Sequence, residues 1–191
     1  MARPRSDDKR NAILAAAISV FAERGLGAPT SAISKAAGVA EGTLFTYFST
    51  KDELINALYR ELKMELADAM LSNFPRRKNL RSKLEHIWNG YVQWGVANAM
   101  PCKVLGQLQV SDVLTEETRA AGLAVFAEIQ EISRVAVEER LLKSGLPLEF
   151  VTKALGSLAQ ATMELMIANP AKADAYREYG FEMFWAGIAR K

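Results

Sequence analysis

The sequence contains few of the residues that enzymes and secreted proteins use for catalysis, metal binding or cross-linking. It has one cysteine, Cys102, and one histidine, His86. A single cysteine excludes a disulfide within the chain, and one residue of each kind is too few for a His/Cys metal site. The sequence also has no phosphate-binding loop, no glycine-rich dinucleotide motif and no zinc-ligand spacing. We therefore expect no enzyme activity, no cofactor and no metal.

Long apolar runs and a strong charge bias are missing as well. No stretch approaches the roughly 18 uninterrupted apolar residues of a membrane span, and the charged run MARPRSDDKR does not resemble a secretory signal. The net charge is only +2, which by itself does not indicate nucleic acid. Half of the residues are apolar, enough to bury a core. These features predict a soluble cytoplasmic protein with no membrane partner.

Helical periodicity is the strongest pattern that is present. Apolar residues recur at three- and four-residue spacing, and no alternating strand pattern appears. This predicts an all-α fold of about nine helices, three short ones first. Thr50 and Glu53 fit a capping box that begins a long fourth helix. The later helices are expected at about 79–98, 102–112, 117–144, 148–168 and 171–189.

The segment around Gly38 predicts a helix-turn-helix. A short helix ends at this glycine, which adopts a left-handed conformation at little cost, and a second short helix begins near Glu41. On a helical wheel Leu44 and Phe48 lie four residues apart on one face and should point into the core.

The opposite face of this second helix is small and polar. Gly42 and Thr46 lie at its centre, with the ring of Phe45 beside them. Such a face suits a DNA major groove, where hydroxyls contact phosphates or base edges and an aromatic ring contacts a thymine methyl. Packing of Phe45 and Tyr47 in the core is the alternative, because aromatic residues at helical spacing usually pack there.

A family resemblance favours the DNA interpretation. The run TSAISKAAGVAEGTLFTYFSTKDEL resembles the DNA-binding segment of the TetR/AcrR family of transcriptional regulators, and ILAAAISVFAERGLGAPT resembles the first helix and loop of that family. The resemblance implies a helix-turn-helix DNA-binding domain over residues 1–50 and a larger helical domain for effector binding and dimerisation over residues 51–191. It implies phosphate contacts from Thr30, Thr43, Tyr47 and Lys51, and base-side contacts from Ser31, Glu41, Gly42, Phe45 and Thr46.

Glu41 departs from what a DNA surface favours. A carboxylate close to phosphates is costly unless it accepts a hydrogen bond from a cytosine amino group. Ala40 also stands where a capping serine is common in the family, and Phe45 replaces the commoner tyrosine.

The last two helices are the predicted dimer interface. One helix pair reads few base pairs, so we expect a homodimer on palindromic double-stranded DNA. Both helices combine small residues, which allow close crossing of helices, with large apolar residues. The alternative is that these two helices only close the core of the monomer. The predicted interface comprises Val151, Ala154, Leu155, Leu158, Ala161, Leu165, Tyr176, Gly180, Met183, Phe184 and Gly187.

The middle helices are expected to hold a pocket for a small, largely apolar effector. Each candidate residue could instead belong to the core, and Cys102 could be an inert buried thiol. The candidates are Trp88, Tyr91, Trp94, Met100, Cys102, Leu105, Leu108, Phe126, Ile129, Met163 and Met166.

Together these patterns predict a ligand-responsive transcriptional regulator that acts as a repressor and is released from its operator by the effector. The alternative is a helical adaptor that binds another protein and no DNA. An adaptor would bury Thr43, Phe45 and Tyr47 against its partner.

Overall fold

The computed structural model describes residues 7–190, and in this part of the chain the structure is helical apart from turns, loops and one isolated antiparallel bridge between Leu142 and Ala189. The predicted all-α fold is confirmed, with ten α-helices among the described residues. They are α1 (Asp7–Arg24), α2 (Thr30–Ala36), α3 (Glu41–Tyr47), α4 (Lys51–Leu71), α5 (Leu80–Ala97), α6 (Ala99–Gln109), α7 (Glu116–Ala124), α8 (Ala127–Glu138), α9 (Leu148–Ala168) and α10 (Ala173–Ile188). A single 3-10 turn, Pro170–Lys172, precedes α10.

The turn between α2 and α3 has the geometry that its glycine predicts. Gly38 adopts a φ of +65°, in the left-handed region that favours glycine. The amide of Val39 donates to the carbonyl of Ser34 at 3.0 Å, and the amide of Gly38 donates to that of Lys35 at 3.2 Å. These two bonds close the end of α2 as a Schellman motif, so the chain can enter α3 after a short turn.

The start of α4 is capped as predicted, with one difference. The amide of Glu53 donates to Thr50 Oγ1 at 3.0 Å. The carboxylate of Glu53 accepts from the backbone amide of Ser49 at 2.7 Å, one residue earlier than in the usual box. Two exposed amides at the start of α4 are therefore paired by side chains.

The predicted helix over 117–144 is wrong in two respects. It is divided into α7 and α8 at residues 125–126, where no glycine or proline marks a break, and α8 ends at Glu138. Arg140 adopts a φ of 56°, and the amide of Leu141 donates to the carbonyl of Ala136 at 2.9 Å. A left-handed arginine thus terminates α8 in the position that glycine usually occupies.

The predicted start of α6 is also displaced. The helix begins at Ala99, and Pro101 lies within its first turn. Proline is tolerated there because the first amides of a helix have no intrahelical acceptor.

By packing, the described chain divides into two compact units. Unit 1 contains the described residues up to Met64 together with Asn98–Leu123, and unit 2 contains Glu65–Ala97 and the described residues from Ala124 onward. The predicted domain boundary between residues 50 and 51 stays a prediction.

In unit 1, polar bonds tie α4 to the segment that connects α6 and α7. Asn56 is buried; its amide group donates to the carbonyl of Val113 at 3.1 Å and accepts from the amide of Thr115 at 3.0 Å. One turn later Arg60 donates to Thr118 Oγ1 at 2.8 Å. Because Asn56 bonds two backbone groups of this segment, its loss would remove the side-chain partner of both.

In unit 2, α9 packs against α5 and α10. Trp88 is fully buried; its indole nitrogen donates to the carbonyl of Arg177 at 2.9 Å, and its ring stacks on Phe184 at 6.2 Å between centroids. A Cβ on Gly180 would lie 2.4 Å from Thr162 Oγ1. The glycine is therefore required for the close approach of these helices. Within residues 7–190, no helix is both long and apolar enough to cross a bilayer.

Candidate nucleic-acid interface

Helix α3 is anchored by the two residues that the helical wheel selects. Leu44 is fully buried and Phe48, directly after the helix, is 3% exposed. Burial of two large apolar side chains four residues apart fixes the rotation of the helix. The opposite flank of α3 consequently faces outward.

The outward flank of α3 has the small polar character predicted for it. Gly42, Phe45 and Thr46 are exposed, and Thr43 and Tyr47 lie half-buried at the borders. Thr46 Oγ1 donates to the carbonyl of Gly42 at 3.0 Å. A Cβ added at Gly42 would meet no atom within 4 Å, so the backbone here is open to a close approach.

Three further predicted residues lie at the starts of α2 and α3. Ser31 and Glu41 are exposed, and Thr30 is half-buried. Thr30 Oγ1 donates to Glu41 Oε1 at 2.8 Å, a bond that joins the first residue of α2 to the first residue of α3. Lys51, the remaining predicted residue, is half-buried at the first position of α4.

Arg10 contacts Phe48 at the end of α3 and was not predicted from the sequence. Its guanidinium carbon lies 5.9 Å from the centroid of the Phe48 ring, and Nη1 lies 2.6 Å from Glu61 Oε1. Arg10, on α1, therefore links the end of α3 to Glu61 on α4. The ion pair spans 51 residues of sequence, and no periodic pattern reports a contact of that range.

Several predicted interface residues form an exposed apolar surface on α9 and α10. Leu165 is 49% exposed and Met183 is 66% exposed, and the small residues Ala161 and Gly187 are exposed as well. Tyr179, which the prediction omitted, is 64% exposed. The half-buried members of the predicted set are Val151, Ala154, Leu155, Leu158 and Tyr176.

Two predicted interface residues are corrected by the structure. Gly180 and Phe184 are buried within unit 2. Gly180 meets Trp88 and Thr162, and Phe184 stacks on Trp88. Both residues belong to the core of the unit and offer no surface to a partner.

The predicted pocket residues are divided between the two units. Met100, Cys102, Leu105 and Leu108 belong to unit 1, and the other seven belong to unit 2. Met100 is 51% exposed, so its predicted role in a buried lining is corrected. Burial raises the pKa of the Cys102 thiol, which keeps it neutral. The buried members are Trp88, Trp94, Leu105, Leu108, Met163 and Met166.

A buried cation on α4 was also missed. Lys63 is 9% exposed and its Nζ lies 5.8 Å from the centroid of the Tyr59 ring. Burial lowers the pKa of the Lys63 ammonium because it disfavours the charged form. The sequence carries no signal for this, since a lysine on a long amphipathic helix is usually exposed.

The family model "Bacterial regulatory proteins, tetR family" matches residues 13–58, which include α2, α3 and the turn between them. Among curated proteins, the chain is 23% identical to the fatty acid metabolism regulator protein of Bacillus subtilis (strain 168), over 94% of this chain and 95% of that protein.

Solved structures show the same fold over nearly the whole chain. A protein from Shewanella sp. PV-4, assigned to the tetR family of transcription regulators, has a TM-score of 0.85 at 26% identity and covers 98% of this chain and 100% of its own. The transcriptional regulator FadR from Bacillus subtilis, in complex with stearoyl-CoA, has a TM-score of 0.72 at 22% identity. The match covers 93% of this chain and 98% of the FadR chain.

Proposed function

The chain belongs to the tetR family of bacterial regulatory proteins, which are DNA-binding transcription regulators, and from this we propose a dimeric repressor released from a palindromic operator by an apolar effector. It would act in the cytoplasm, where the operator is. The observation that carries the proposal is the exposed flank of α3 opposite two buried anchors.

The chemistry of α3 supports insertion into a major groove. Gly42 presents open backbone, Phe45 is 42% exposed, and Thr46 adds a hydroxyl. An exposed aromatic ring among small residues can contact a thymine methyl without a bulky neighbour that would hold it away from the base pairs. Thr43, Tyr47 and Lys51 at the borders would contact phosphates, and Ser31 would contribute from α2.

The apolar surface of α9 and α10 supports a homodimer. Large exposed apolar side chains such as Leu165, Tyr179 and Met183 stabilise an assembly when they are buried, by about 25 cal/mol per Å² of apolar area. Exposed Ala161 and Gly187 allow a partner helix to approach closely. A two-fold dimer would present two copies of α3 to a palindrome.

The composition of the interior supports an apolar effector. The buried candidate residues of unit 2, Trp88, Trp94, Met163 and Met166, are apolar. The similar Bacillus subtilis regulator binds stearoyl-CoA, so a long-chain acyl thioester is the first effector to test. Binding would shift the dimer to a state with lower DNA affinity.

A titration of the full-length protein against the DNA upstream of its own gene tests this function. We expect sequence-selective binding that weakens as salt increases, because phosphate contacts release counterions. A Thr46→Asp/Lys51→Glu variant should lose at least about 100-fold in affinity, because like charges then face the phosphates. Addition of stearoyl-CoA should release the wild-type complex.

Residues 152 and 153 offer a matched control. Thr152 bonds the carbonyl of Leu148 at 2.9 Å, as Thr46 bonds that of Gly42, and both Thr152 and Lys153 are exposed on α9. The Thr152→Asp/Lys153→Glu variant makes the same charge change and should bind DNA normally. If Thr46→Asp/Lys51→Glu shows no change in DNA titrations, the adaptor that binds no DNA is favoured.

A further inference from the structure

The bond between Thr30 and Glu41 places a carboxylate in a defined position on the proposed DNA surface. Thr30 Oγ1 and Glu41 Oε1 are 2.8 Å apart, and the bond bridges the starts of α2 and α3. Glu41 is exposed on the outward side of the helix-turn-helix, next to Gly42. The carboxylate is thus held at Oε1, and its second oxygen is a further hydrogen-bond acceptor.

This bond changes the role expected of Thr30. A hydroxyl has a single proton, and Thr30 donates it to Glu41. It cannot at the same time donate to a phosphate oxygen, the contact that the family resemblance implies. Thr30 is therefore a positioning residue that acts through Glu41.

The chemistry of Glu41 selects among the bases. An ionised carboxylate only accepts hydrogen bonds, so a phosphate repels it and a base amino group attracts it. In the major groove guanine presents two acceptors and thymine presents one, while adenine places an acceptor beside its amino group. Cytosine presents an amino donor as its only polar group at that edge.

We propose that Thr30 positions Glu41 to select cytosine at one base pair in each half-site of the operator. The inference rests on the proposed DNA-binding function and names the base that this part of the surface reads. Repulsion between Glu41 and phosphate also prevents the helix from binding in registers that place the carboxylate at the backbone, so the residue contributes specificity more than affinity.

Selection of binding sites from randomised duplexes by full-length protein tests the inference. Wild-type protein should select cytosine at one symmetric position, with about a tenfold loss when that base pair is changed. Glu41→Ala should accept all four bases there within about twofold and retain the other positions. Glu41→Gln should shift the preference toward adenine, whose amino group and ring nitrogen pair with an amide.

Variants of Thr30 separate positioning from phosphate contact. Thr30→Val keeps the branched shape and removes the proton, so it should weaken the cytosine preference; Thr30→Ser should retain it. A uniform loss of affinity in Thr30→Val with the cytosine preference intact would assign the hydroxyl to phosphate and overturn the inference. If wild type and Glu41→Ala both bind DNA and select identical sites, the inference is overturned as well. Absence of any selected sequence for wild type would instead reject the proposed function itself.

Discussion

Two exposed surfaces of this protein differ in what they offer a partner. The proposed recognition surface, consisting of Ser31, Glu41, Gly42, Phe45 and Thr46, is small and polar around one aromatic ring. The apolar surface, consisting of Ala161, Leu165, Tyr179, Met183 and Gly187 on α9 and α10, has three large hydrophobic side chains between 49% and 66% exposed.

The comparison shows that exposure alone does not identify a partner. Burial of the apolar surface would be driven by hydrophobic area, which depends weakly on salt. Binding through the recognition surface would depend on phosphate charge and would weaken steeply with salt. The chemistry of each exposed face therefore distinguishes a protein partner from a nucleic acid, and substitutions on the two faces should have separable effects.

The largest effect is expected from charges on the apolar surface. A Leu165→Glu/Met183→Glu variant should be monomeric in sedimentation experiments, because closing the dimer would bury two carboxylates from each subunit. Its DNA affinity should fall by at least roughly 100-fold, since two recognition helices no longer bind as a linked pair. Its helical content should be unchanged, because both residues are exposed.

A second double variant controls for the added charge. Gln93→Glu/Ala171→Glu adds the same two charges at exposed positions of unit 2 outside the apolar surface. It should remain dimeric and bind DNA. A dimeric Leu165→Glu/Met183→Glu variant would show that this surface is not the subunit interface.

Adjacent residues of α3 provide the second prediction. Leu44→Ala should destabilise the protein by about 2–5 kcal/mol, because it leaves a cavity where a fully buried side chain packs. Phe45→Ala should change stability by about 0.5 kcal/mol or less, because the ring is 42% exposed, but should lower DNA affinity about tenfold. Chemical denaturation and DNA titration measure both quantities.

The stability effects of these two substitutions are exchanged if α3 is rotated about its axis in solution. A large loss of stability in Phe45→Ala, together with a small loss in Leu44→Ala, would place the aromatic ring inside and remove the recognition surface.

The exposed flank of α3 was predictable because α3 has only one apolar face. Leu44 and Phe48 lie four residues apart, and no other arrangement buries both, so the wheel alone selects the outer flank. Helix α10 is apolar on more than one side, and the same reasoning fails there. Phe184 is buried and its neighbour Met183 is exposed, although the sequence makes either side a suitable core face.

Contacts between distant segments were not predictable from periodicity. Asn56 bonds residues near position 114, and Arg10 bonds Glu61, because the fold brings together side chains that no local pattern relates. The end of α8 at a left-handed Arg140 was missed for a related reason. The segment after Arg140 is bonded to the end of α10, where the amide of Arg190 donates to the carbonyl of Leu141 at 3.1 Å, and this long-range contact supports a conformation that intrinsic preference disfavours.

The smallest expected effect separates close approach to DNA from helix stability. Gly42→Ala adds a methyl that meets no atom within 4 Å, so it should stabilise α3 by up to about 1 kcal/mol. If DNA approaches the backbone at this position, the same methyl should lower affinity several-fold. Gly106→Ala is the matched control, because Gly106 is exposed within α6 and its added methyl also meets nothing within 4 Å. It should stabilise the protein similarly and leave DNA affinity unchanged, so equal affinities for both variants would place the duplex away from Gly42.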